Sequence, residues 1–297
     1  MYYHKCNESE KKLRIKISDG IEIYCELINE TENPYASVLM VFPGGPGFDS
    51  LIYKNQLMFL KEKYQLLFFD PRGCGKSTAL SNQNYTFDLF SRDASEILEH
   101  LNIEKVRIIG TSFGAMAGLH FAIHFPQKVE TFICIGGSPS FAFLEQAKKN
   151  LSERGSDEQK EVCDRFLWRG QFQTQEDYMY FMQVMAPLYA ISLKGTLQNP
   201  YQLTCNLDAL NQFFANEFEH FDFIDRLSEI TASVLWMVGE CDWINDPCLI
   251  ESVVHTIHDI HFEKVLGSGH SISKDKNDEY QKLITEFLSA HYNRTNR

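Results

Sequence analysis

Positive charge is in short supply in this chain. Its 28 Lys and Arg face 40 Asp and Glu among 297 residues, a formal charge of −12. A surface of that sign repels phosphate, so nucleic acid is excluded as a partner, and anionic membrane surfaces with it. Long apolar runs are missing too: none approaches the roughly 18–20 residues of a spanning helix. The opening stretch Met1-Tyr2-Tyr3-His4-Lys5-Cys6 carries no apolar tract of the kind a secretory signal needs. The eight cysteines (6, 25, 74, 134, 163, 205, 241 and 248) show no CxxC pair and no regular spacing. They are expected to be reduced thiols of a cytoplasmic protein rather than a disulfide framework. With 44% hydrophobic and 23% charged residues, the composition also excludes disorder and low complexity.

The chain opens on two runs, Leu13–Ile17 and Ile21–Leu27, flanking Asp19-Gly20, the two-residue turn chemistry of a β-hairpin. A strand–loop–helix rhythm follows. Apolar runs at Ser37–Phe42, Gln65–Phe69, Val106–Ile109, Thr131–Ile135, Ser233–Val238 and His261–Leu266 alternate with helical spacing at Ile52–Lys63, Phe87–Leu101, Phe113–His124, Pro247–Thr256 and Asp278–Tyr292. Continuous apolar strands alternating with helices predict an α/β class with a mostly parallel sheet covered on both faces. Its reactive groups are then expected beyond the carboxyl ends of the strands. Between Ser138 and Asp225 no strand run appears; the stretch is helical and aromatic, with 13 acidic and 7 basic residues. The expected organisation is a core of residues 1–137 and 226–297 with a helical cap, 138–225, inserted into it.

Gly110-Thr111-Ser112-Phe113-Gly114 directly follows a strand and opens a helix, the context in which Gly-x-Ser-x-Gly forms a nucleophile elbow. Only missing Cβ atoms two residues either side of the serine let strand and helix come close enough to thrust its hydroxyl out. A serine at neutral pH needs a base, and the base an orienting acid. Asp242 follows the strand ending at Val238, and His270 follows the last strand, in the order Ser, Asp, His that this elbow demands. Asp246 and Glu240 compete with Asp242 for the acid's role. Phe113 N–H, at the helix start, and Gly45, in the loop Pro43-Gly44-Gly45-Pro46-Gly47, are the expected oxyanion donors. Asp70–Ser77 ends in Gly-Lys-Ser but has Asp70 where a phosphate-binding loop needs its first glycine, so nucleotide binding is rejected. Asp70 and Arg72 are expected to pair with each other and brace that loop. No metal or organic cofactor is expected. His120 and His124 lie four apart on the elbow helix without a third ligand, and His255, His258 and His261 straddle a helix end and a strand start.

These loops, taken in order, resemble the α/β-hydrolase fold and, within it, the prolyl aminopeptidase (proline iminopeptidase) family, most closely its tricorn-interacting aminopeptidase branch. The resemblance spans roughly Val38 to Phe287 and rests on Gly44-Gly45-Pro46-Gly47, Asp70–Ser77, the Ser112 elbow, Gly239-Glu240-Cys241-Asp242 and Gly269-His270. It implies a serine peptidase without cofactor that removes an N-terminal residue, proline or a small apolar one, from short peptides. It also implies that Glu217, in Asn216-Glu217-Phe218, holds the substrate's free amine. The chain departs from the family at Pro43, at Pro71 and at Trp243, where that branch has a second amine-binding glutamate. Glu219 or Glu240 are candidates to replace it. Trp243 and the aromatic cap also suit a second reading, a carboxylesterase or lactonase for small apolar acyl groups. A third, a ligand-binding scaffold that keeps the fold without the chemistry, sits poorly with a complete Ser-Asp-His set.

Overall fold

A computed structural model describes residues 10–29, 36–193 and 204–292. Cys6 and the part of the expected cap at 194–203 lie outside the described residues. Eight strands form one sheet: β1 (Glu10–Lys16), β2 (Glu22–Ile28), β3 (Val38–Phe42), β4 (Gln65–Phe69), β5 (Val106–Thr111), β6 (Val129–Ile135), β7 (Ser233–Gly239) and β8 (Ile260–Val265). Their spatial order is β1-β2-β4-β3-β5-β6-β7-β8. The β1–β2 and β2–β4 pairs are antiparallel and all others parallel. The opening hairpin closes later than its turn chemistry predicts: Ile17 N–H donates to Ile21 O at 2.9 Å, leaving a three-residue loop, Ser18 to Gly20. Asp19 accepts from Ile21 N–H within it.

Strand side chains alternate between faces. Met40, Phe42, Leu67, Phe69, Ile108, Phe132 and Trp236 enter one apolar cluster; Leu39, Val41, Leu66, Phe68, Ile109, Ile133 and Leu235 enter the other. The second face is covered by α1 (Leu51–Leu57) and, from the far end of the chain, the last long helix. The first is covered by α2 (Phe87–His100) and α3 (Phe113–His124). Eleven of the 12 residues of α3 are buried, which is why its sequence is apolar all round instead of striped.

Between β6 and β7 the described residues form helices α4 (Ala142–Arg154), α5 (Asp157–Val162), α6 (Gln175–Tyr189) and α7 (Leu207–Ala215), with short turns between them. α5 and α6 each begin with a capping box, Ser156 with Gln159 and Thr174 with Asp177. Their aromatic residues do not stand apart from the sheet. Phe213, Phe218, Phe221 and Phe223 pack on Phe87 and Phe113, and Phe143 on Phe218, in a network with ring centroids 4.6–6.4 Å apart. The helical insert and the first face of the sheet therefore share one core. After β7 come α8 (Pro247–Glu251), α9 (Ile272–Asp275) and α10 (Asn277–Ala290).

Candidate active site

Ser112, Gly45, Asp242 and His270 all stand just past the carboxyl ends of parallel strands, β5, β3, β7 and β8 respectively. Ser112 has φ +55° and ψ −119°, the strained turn the elbow pattern predicts. The flanking glycines are required by contact. A Cβ on Gly110 would collide with Gly114 O, and one on Gly114 with Phe42 O. The same closeness seats the loop after β3 against the elbow, since a Cβ on Gly44 would lie 2.9 Å from Thr111 O. As the first residue of α3, Phe113 has an N–H with no intrahelical acceptor. Gly45, in the loop after β3, adopts φ +132°.

His270 and Asp242 are joined. Nδ1 of the imidazole donates to Oδ2 of the carboxylate at 2.7 Å, both groups buried. Oδ1 of Asp242 accepts from Ile244 N and Asn245 N, each at 3.0 Å, so the carboxylate cannot swing away. The rival acids are engaged elsewhere. Asp246 caps α8 through Cys248 N and accepts from Asn150 Nδ2; Glu240 accepts from Gly267 N at 2.9 Å.

The backbone of Ser112 is linked to this pair through two residues, Ile135 and Gly136. Its N–H donates to Ile135 O at 2.7 Å, and the next residue, Gly136, lies along the imidazole: a Cβ there would sit 3.3 Å from Cε1 of His270. Gly136 has φ +56°, and Asn245 Nδ2 holds its carbonyl at 2.6 Å. Among the described residues the Ser112 hydroxyl makes no hydrogen bond to His270.

Trp243 and Glu217, the candidate substrate contacts, each have partners within the protein. Trp243 is fully buried, its ring against Trp168 and Tyr189, and Tyr189 in turn stands edge-on to His270 at 5.5 Å. It is thus one ring removed from the imidazole, and its Nε1 has no hydrogen-bond partner among the described residues. Glu217 is half-buried and its Oε2 accepts from Phe87 N–H at 3.1 Å, an acidic contact at the start of α2 where the helix dipole favours one. Glu219 is exposed.

Asp70 and Arg72 do not pair with each other, contrary to expectation. Asp70 accepts from Ser50 N, Ser50 Oγ and Lys76 N at 2.9–3.1 Å, bracing the loop after β4 against the one after β3. Arg72 makes a buried two-pronged pair with Asp93 of α2 and a further contact to Asp19 of the hairpin turn at 3.1 Å. A cavity of about 20 Å³, room for roughly one water, lies between Gly44, Pro46, Phe48, Phe90, Phe113 and Phe213. His120 and His124 are absorbed by packing: His120 bonds Ser91 Oγ, and His124 Nε2 accepts from Arg226.

One residue near the site carries no sequence signal. Asp275, on α9, accepts from Gly269 N at 2.8 Å, directly before His270, and from Ile191 N and Ser192 N at 3.0 and 2.8 Å, just beyond α6. Burial opposes its charge, but these N–H groups hold its carboxyl below the usual carboxylate range.

The sheet order, the antiparallel β2 and reactive side chains on loops after parallel strands define an α/β hydrolase. A profile of the alpha/beta hydrolase fold matches residues 37–277, and the chain belongs to that family. It is similar to a proline iminopeptidase of Pestalotiopsis fici, 29% identical across 77% of this chain and 83% of that one. A proline iminopeptidase of Thermoplasma volcanium is 24% identical across 97% and 98%. Among solved structures, the proline iminopeptidase of Mycobacterium smegmatis superposes with a TM-score of 0.72 at 22% identity, covering 95% of this chain and 98% of its own. An esterase from Exiguobacterium antarcticum shares the fold with a TM-score of 0.66 at 18% identity, covering 94% and 100%. Among the described residues, no helix is long and apolar enough to cross a membrane.

Proposed function

We propose that this chain is a serine hydrolase acting as an aminopeptidase on short peptides, releasing an N-terminal proline or small apolar residue. The observation that carries the reading is the 2.7 Å His270–Asp242 hydrogen bond, linked to the strained Ser112 elbow through Ile135 and Gly136. Ser112 Oγ attacks the scissile carbonyl while Nε2 of His270 takes its proton. The His–Asp bond fixes the tautomer and stabilises the imidazolium. The tetrahedral oxyanion is met by Phe113 N–H and Gly45 N–H. His270 then protonates the leaving amine, and water releases the acyl group by the same route. The Ser112–His270 hydrogen bond forms on substrate binding, a contact that apo enzymes often leave long. Glu217 holds the substrate ammonium with the oxygen that Phe87 does not use, and Trp243, with Tyr189, walls the site. The similarity to proline iminopeptidases supports the choice of substrate. The same reading places the enzyme in the cytoplasm, which its seven unpaired cysteines among the described residues favour.

The burial of Trp243 and the tie between Glu217 and Phe87 favour a second reading, a carboxylesterase or lactonase for small apolar acyl groups. One panel separates the two: free-amine aminoacyl amides, their N-blocked counterparts and p-nitrophenyl acetate, on wild type and Glu217→Gln. Glutamine can still accept from Phe87 N–H, so the helix start is kept. The aminopeptidase reading expects the free-amine substrates to be preferred and to lose at least about tenfold in kcat/KM, an ammonium–carboxylate contact of about 1.4 kcal/mol or more. Equal turnover of free and blocked amides, untouched by the substitution, would leave the esterase.

A further inference from the structure

At the opposite end of β8 from the active site, Asp259, His261 and His291 bring one ligand atom each to within 4.8 Å of one another. We propose that these three side chains form a divalent transition-metal site, with Zn²⁺ its fitting occupant. Two imidazoles and one carboxylate are a donor set for zinc and its neighbours; calcium and magnesium, which take oxygen ligands, are not matched.

Two of the three ligands are already oriented from behind. Nδ1 of His291 donates to Phe287 O at 2.7 Å, which fixes the tautomer that leaves Nε2 with its lone pair, the arrangement typical of metal-bound histidine. Asp259 Oδ2 accepts from Ser233 Oγ at 2.5 Å, while Oδ1 faces Nε2 of His261 at 3.8 Å. A tetrahedral ion with ligands at about 2.0–2.1 Å draws neighbouring donors to roughly 3.4 Å. The remaining contraction falls to His261, whose side chain is half exposed and whose ring stands edge-on to Phe287 and His291. Fewer than four protein ligands leave positions for water. The site would not touch the chemistry at Ser112. It would pin the edge strand β8 to the residue that follows α10, joining positions 30 apart in sequence, and its binding energy would add to the stability of the fold.

The test uses the full chain freed of metal with a chelator. Zn²⁺ binding is measured by competition with a chromogenic chelator, and the thermal midpoint with and without Zn²⁺, for wild type, His261→Ala, His261→Gln and the neighbouring control His258→Ala. Expected are one strong site per chain in wild type and His258→Ala with a raised midpoint. Both His261 variants should lose at least about tenfold in affinity and the midpoint shift, with hydrolysis of a chromogenic substrate unchanged. Absence of a Zn²⁺ site in wild type, or equal affinity in the His261 variants, where exposed Cys241 or Cys248 would be the ligands instead, overturns the proposal.

Discussion

At the scale of single residues, the site is a problem of fixing directions. Asp242 is held by two backbone N–H groups on one oxygen and by the imidazole on the other, so it presents one lone pair to Nδ1. Asp242→Asn should keep this geometry yet lower kcat by about 10⁴, because the amide stabilises the wrong tautomer and no longer supports an imidazolium. Steady-state kinetics with unchanged circular dichroism would check it. Ser112→Ala should lose both turnover and labelling by a fluorophosphonate probe, read by intact mass. The elbow and its partners were legible in the chain because each follows a strand run by a fixed short step, and glycine at 110 and 114 is demanded by backbone contact. Arg72 departs from the expected pairing. Sequence proximity points to Asp70, but a turn closed by Cys74 N–H on Pro71 O begins directly after it, and the real partner, Asp93, arrives on α2. Glu217 was legible as a carboxylate near the insert's end; its hold on Phe87 N–H was not, since that contact spans 130 positions.

At the scale of elements, three segments that are distant along the chain meet at Asp275: the end of α6, the His270 loop and α9 itself. Asp275→Asn retains the shape but weakens the charge-assisted bonds. The expected outcome is a fall in kcat of about tenfold or more with little change in KM, since the imidazole is misplaced while substrate contacts persist. A loss confined to thermal stability would make Asp275 structural only. The sign of its pH dependence follows from the depressed carboxyl. The stabilisation is complete above the ordinary carboxylate pKa and is lost as pH falls through the lower folded-state value. Wild type should therefore lose activity on the acid side more steeply than Asp275→Asn. The aromatic stretch between β6 and β7 was readable as helical, but its use was not. Its rings are spent on Phe87 and Phe113, because α2 and α3 offer an apolar face that packs against them.

For the molecule as a whole, the shared core makes the insert and the sheet one cooperative unit, and His120 sits inside it, stacked between Phe87 and His124. Burial, and then the neighbouring His124, push its pKa down from 6.5 to about 4. The unfolded chain binds a proton that the folded one refuses between those values, so stability should climb with pH from about 4 to 6.5, by up to about 3 kcal/mol, and level off beyond. Urea titrations at a series of pH values would show that slope in wild type and its loss in His120→Gln.

The carboxylate at position 275 has a consequence for how such an enzyme can breathe. One side chain grips both the segment leaving α6 and the stretch that carries the imidazole. Any swing of that helix wide enough to admit a peptide would drag the proton acceptor with it. Under the proposed mechanism, entry and cleavage would then be mutually exclusive moments of one cycle, and water could not exploit an armed serine while the door stood ajar.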